Sequence, residues 1–137
     1  MGYRRKEKPQ FKNLLVIMTK LDEVLRSAIF ELDRSERAYK AYLPEKKYLH
    51  AKALKRSNER LITLITKNSA LFTGELRDCC LELIEHMDVW FDQFAQLEQD
   101  DNPSIEDPFV FKRIIETKAF PKGLREVFVR HLEFDTL

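Results

Sequence analysis

Glycine is scarce in this chain, three residues in 137, and Gly2, Gly74 and Gly123 stand too far apart to build a glycine-rich loop that cradles phosphate. Cysteine is scarcer still. Cys79 and Cys80 are adjacent, which excludes the two-residue spacing of metal knuckles and redox motifs. On a helix, neighbouring side chains diverge by about 100°, so the pair cannot close a disulfide without unwinding its own backbone. A reduced, cytoplasmic protein is the expectation. Long hydrophobic runs are absent as well. The longest aliphatic run, Leu14 to Met18, falls far short of the roughly 18 residues a membrane span needs, so no membrane partner is expected. Glycine and proline total only eight, and hydrophobic residues make up 44% of the chain. That balance describes a folded chain rather than a disordered one, and its length suits one domain spanning residues 1–137. The first nine residues, rich in Arg4, Arg5, Lys6 and Lys8, read as a flexible basic tail. They lack the apolar stretch and cleavage site of a secretory signal. Lys6 stands where a myristoylation motif wants Ser or Thr.

What is present is helical periodicity. Phe11, Leu14, Met18, Leu21, Leu25, Ala28, Leu32 and Tyr39 recur at spacings of three, four and seven, predicting an amphipathic helix from Gln10 to Tyr42. Pro44 biases Leu43 away from helical dihedrals and suits the first turn of a second helix, Pro44 to Leu71. That helix turns Ala51, Leu54, Leu61, Ile62, Leu64 and Ile65 to the core. Asn58 and Asn68 share their angular position. Asn68 reads as a residue of the fraying end and Asn58 as a flank position that finds a hydrogen bond, or else as a register-fixing amide in a helix seam.

Thr73 is a good N-cap for a third helix reaching Gln99, with Leu76, Cys80, Leu83, Met87, Trp90, Phe94 and Leu97 on one face. Asp107 as N-cap and Pro108 behind it predict a shorter helix to Lys118. A last one follows from Leu124 to Phe134. No stretch alternates with period two and no repeat recurs. The expected fold is therefore all-α, a helical bundle of three long amphipathic helices plus two shorter C-terminal ones.

Charge supplies the second pattern. Residues 1–67 carry 17 of the 24 Lys and Arg against eight acids, a net +9, whereas residues 68–137 hold seven bases and 15 acids, a net −8. The total of +1 conceals this split. Measured from Leu54, the side chains of Lys52, Arg56, Arg60 and Lys67 point roughly 120° to 160° away from the core. Measured from Leu83, those of Asp78, Glu85, Asp88 and Asp92 point about 140° to 180° away. Both stripes face outward, where salt screens them from each other over about 10 Å, so their effect falls on outside partners. Val16 and Phe30 on the first helix, with Leu81 and Val89 on the third, are apolar residues off the main stripes. They suggest an interface along the long helices.

Chemistry-bearing constellations are missing from the pattern. A di-iron helix bundle needs Glu three residues before His, but Leu83 precedes His86 at that spacing, Lys47 precedes His50 and Phe128 precedes His131. No metal or cofactor is expected. Cys79 and His86 lie about 10.5 Å apart along a helix, beyond hydrogen-bond reach. Arg77, Asp78 and His86 are similar to the Arg-polar-His signature of the helical HEPN ribonucleases, but their spacing is longer, and that activity is not carried over. The sequence therefore predicts a protein that is not an enzyme. Its expected role is that of an interaction, regulatory or adaptor module whose partner is a protein or a second copy of itself, as in a homodimer. Its surface would comprise Lys52, Arg56, Arg60, Lys67, Asp78, Glu85, Asp88, Asp92, Val16 and Phe30. The second expectation is a small nucleic-acid-binding regulator that uses the basic stripe of the second helix on phosphates.

Overall fold

The computed structural model describes residues 11–111 and 120–132. Within them the chain is α-helical, with α1 (Phe11–Tyr42), α2 (Tyr48–Lys67), α3 (Gly74–Asp101) and α4 (Leu124–Arg130), and a 3-10 turn at Ser69–Leu71. Among the described residues there is no strand. An isolated antiparallel bridge joins Lys47 to Pro108. The basic tail expected at residues 1–9 and most of the helix expected at 107–118 lie outside the described residues.

The helix α1 contains neither glycine nor proline, so nothing interrupts it for 32 residues. At 1.5 Å per residue it is about 48 Å long, against about 30 Å for α2. This mismatch corrects the expected stripe. Leu25 and Ala28 are buried as the periodicity predicts and Val24 joins them, but Leu14 and Tyr39 remain exposed. The longer helix outruns its partner.

The second helix starts four residues later than expected, and the reason is tertiary. After Tyr42 the chain turns through Lys46 at a φ of +51°. Residues 46–49 then pair with 105–109: Tyr48 N–H donates to the Asp107 carbonyl at 2.9 Å, Leu49 N–H to Ile105 at 3.0 Å, and Phe109 N–H to Lys46 at 2.7 Å. The first amides of a helix have no intrahelical acceptor. Here no side chain caps α2, and carbonyls from the distant loop supply part of what a cap would. Lys47 adds ion pairs to Glu106 at 2.8 Å and Glu45 at 3.3 Å.

The same pairing overturns the helix start proposed at Asp107 and Pro108. The Asp107 carboxylate accepts the Ser104 N–H at 2.8 Å within its own loop. Pro108 sits in the bridge, and residues 109–111 are not helical. Residues that carry a local cap signal serve a long-range contact instead. The remaining boundaries follow local chemistry. Asn68 ends α2, its side-chain amide donating to the Leu64 carbonyl at 2.8 Å. Thr73 precedes α3, although its side chain makes no capping hydrogen bond. Asn102 closes α3 in the left-handed conformation, its N–H donating to Glu98 at 2.9 Å. Gly123, at a φ of +68°, leads into α4. That helix ends at Arg130 rather than Phe134, with His131 N–H shared between Val127 and Phe128 carbonyls.

Two cores result. The larger joins all four helices through residues such as Leu25, Leu61, Ile65, Leu76, Leu83, Met87 and Phe128. The smaller is aromatic and gathers Tyr42, Phe94 and Phe109 with Tyr48, Trp90 and Phe111 packed against them. Phe94 and Phe109 have ring centroids 4.8 Å apart, and Tyr48 and Phe109 lie at 4.9 Å. Such tilted pairs add to area burial. The buried Tyr42 hydroxyl donates to the Phe109 carbonyl. Burial raises the pKa of this phenol. Tyr42 thus fastens the 109–111 segment to the end of α1. Tyr42→Phe leaves a buried carbonyl without its donor, an expected loss of about 1 to 3 kcal/mol in chemical denaturation. An unchanged midpoint would mean that the segment is held by ring packing alone.

Candidate functional site

Each predicted surface residue lies where helical periodicity puts it. On α2, Lys52, Arg56, Arg60 and Lys67 are all exposed, and on α3 so are Asp78, Glu85, Asp88 and Asp92. Among the described residues, none of these eight enters an ion pair. Lys52 rests its ammonium 5.4 Å from the Tyr48 ring centre. The basic stripe is not continuous. Arg56, Arg60 and Lys67 border a shallow trough between α1 and α2 in which Glu31 and Glu59 are interspersed. The exposed cations therefore have carboxylates close by, which lowers the local positive field.

The apolar outliers are also outside. Val16 is 63% exposed and Phe30 62%. Leu81 is exposed and Val89 half-buried. Sequence reasoning named Val16 alone, but its neighbours share its state. Leu14, Leu15, Val16 and Ile17 are each between 42% and 63% exposed. Four consecutive residues at about 100° per step point to every side of a helix, so this turn of α1 is apolar around its whole circumference.

A second feature was not predicted. A cavity of about 590 Å³ opens among α1, α2, α3 and the chain around Phe111 and Phe120. That volume is in the range of small-molecule sites. Its floor is Leu54, Leu61 and Met87, all buried, and its walls include Leu32, Trp90 and Phe111. Tyr39, Glu36, Phe120 and Arg125 stand at the exposed rim. His86 meets Phe120 edge-on at 5.3 Å. Three polar side chains deeper in the walls are Ser35, Asn58 and His86. The amide at Asn58 occupies a core position, as its spacing indicated, but it opens onto this cavity instead of sealing a helix seam. Periodicity reads one helix at a time, whereas the cavity arises from the gap between three of them, so only Asn58 and Trp90 offered a hint.

The two cysteines are free thiols. Burial is the main cause that lifts the Cys79 thiol above its usual range, with Glu82 and Glu75 adding to it. Burial pushes Cys80 up to about 12. Both stay protonated at neutral pH, which makes them poor nucleophiles and poor metal ligands. Among the described residues no group of three His, Cys, Asp or Glu is placed to hold a metal ion. None of the described helices is long and apolar enough to cross a membrane. Compared with known proteins, the chain matches no family model, no curated protein and no solved structure.

Proposed function

We propose that this chain acts without catalysis, as a helical interaction module that associates with a second copy of itself through the projecting N-terminal turns of α1. The observation that carries the reading is the apolar circumference at Leu14, Leu15, Val16 and Ile17. Water around these side chains is costly, at about 25 cal/mol per Å² of apolar area, and a partner helix removes that cost.

Light scattering on eluting protein tests this reading. The wild-type chain is expected to run as a dimer at micromolar concentration, and the double variant Val16→Glu, Ile17→Lys as a monomer with unchanged helicity by circular dichroism. A wild-type chain that stays monomeric at high micromolar concentration overturns it.

One observation favours a second reading. Lys52, Arg56, Arg60 and Lys67 are exposed and enter no ion pair among the described residues, and such a stripe suits nucleic-acid phosphates. Each phosphate contact would contribute a slope of about −0.9 in log affinity against log salt for duplex DNA. Against it stand Glu31 and Glu59 in the stripe's trough and a net −10 between residues 75 and 107. Sub-micromolar binding to DNA or RNA at physiological salt, lost on Arg56→Glu with Arg60→Glu, would establish the second reading.

A further inference from the structure

We infer that the cavity among α1, α2 and α3 is a binding site for a neutral, mainly apolar small molecule that carries one hydroxyl or amide group. Three features lead there. The first is the surface it offers: aliphatic side chains at the floor, with the Trp90 and Phe111 rings on the walls. Such a lining takes rings or short hydrocarbon chains and gains little from a highly polar guest.

The second is an unmet demand for hydrogen bonds. Among the described residues the Ser35 hydroxyl is fully buried and has no hydrogen-bond partner. Asn58, only 5% exposed, lines the same cavity and makes no side-chain hydrogen bond among the described residues. Buried polar groups in native proteins nearly always have partners, so the unpartnered Ser35 hydroxyl, with the Asn58 amide lining the same apolar space, points to a guest that provides one. A hydroxyl and a carboxamide each donate and accept. The complementary group on the guest is therefore one that also does both, an alcohol or an amide.

The third feature sets the charge. The ionic groups at the rim are already matched, Arg125 with Asp33 at 3.2 Å and Lys40 with Glu36 at 3.0 Å. An ionised guest would have to break one of these pairs or enter the apolar floor with its charge uncompensated, and a neutral one does neither.

Trp90 is the only tryptophan and stands in the cavity wall, so its emission reports occupancy directly. The test titrates 2-phenylethanol and propylbenzene, which differ by a hydroxyl in place of a methyl, into wild type, Ser35→Ala, and Ser35→Ala with Asn58→Leu. Alanine is the best helix former, so Ser35→Ala retains the fold even where the double variant does not. Val16→Glu serves as a control for binding at the projecting end of α1. Both compounds are expected to change Trp90 emission saturably in wild type and in Val16→Glu. In the Ser35 variant 2-phenylethanol should weaken by about tenfold relative to propylbenzene, the worth of one hydrogen bond. Absence of saturation by either compound would mean that the space is filled by the chain itself, and would overturn the assignment. So would equal weakening of both compounds in Ser35→Ala, or no weakening of either.

Discussion

Replacing Phe94 by alanine is expected to lower the unfolding free energy by about 3 to 5 kcal/mol, the range for removing a large aromatic from a packed core. The side chain is wholly buried. Its ring lies 4.8 Å from Phe109, 5.4 Å from Trp90, 6.0 Å from Phe111 and 6.3 Å from Tyr48. Lys55 covers it with its ammonium 5.2 Å from the ring centre. These neighbours come from α2, from α3 itself and from the segment after Asn102, so none can collapse into the gap without moving an element. Denaturant titration measures the loss, and near-ultraviolet dichroism should lose its aromatic signal in parallel. A loss below about 1 kcal/mol would mean that the aromatic cluster is loosely packed.

Leu83→Ala is expected to cost about 2 to 5 kcal/mol by the same measurement. Leu83 has no exposed surface and belongs to the larger core, with Leu25, Leu61 and Phe128. It sits 11 residues before Phe94 on α3, about 16 Å along the axis, so the two losses should be independent and close to additive. Their sum is comparable to the roughly 5 to 15 kcal/mol by which domains are stable, and the double variant should show no cooperative unfolding at 25 °C. A double variant that still unfolds cooperatively, near the midpoint of either single one, would show that the two cores are one coupled unit. If Leu83→Ala alone costs under half a kilocalorie, the buried face of α3 is assigned to the wrong side.

Local signals made much of this readable from sequence. The first helix ends at Tyr42 as expected, its expected start at Gln10 lying outside the described residues, because an unbroken apolar period and a proline just past its end both act within a few residues. The outward placement of Arg56, Arg60, Asp88 and Asp92 was legible for the same reason, since angle on a helix follows from spacing. What failed was non-local. Pro44 and Pro108 each carry a helix-start signal, yet the chain beside each pairs with the other, through Lys46, Asp107 and Phe109. Local propensity is worth tenths of a kilocalorie per residue, and a backbone hydrogen bond together with the burial of Phe109 outweighs it. The cavity was illegible on the same ground. Ser35 and Trp90 stand 55 positions apart in the chain, and no periodicity within one helix relates them.

The loop that answers the first amides of α2 has a bearing on when the molecule is complete. Tyr48 waits for a carbonyl 59 residues further on, and Tyr42 for one 67 residues away. As the polypeptide leaves the ribosome, α1 and α2 emerge as a hairpin whose junction has only water to bond to until Ile105 to Phe109 follow. Closing so long a loop must precede the contacts that reward it, which makes this a late step in folding. A nascent chain halted within α3 carries two complete helices, part of a third and an unfinished corner. The loop at 105–109 thus acts as the keystone of the α1–α2 junction, set only after the elements on both sides of it have been made.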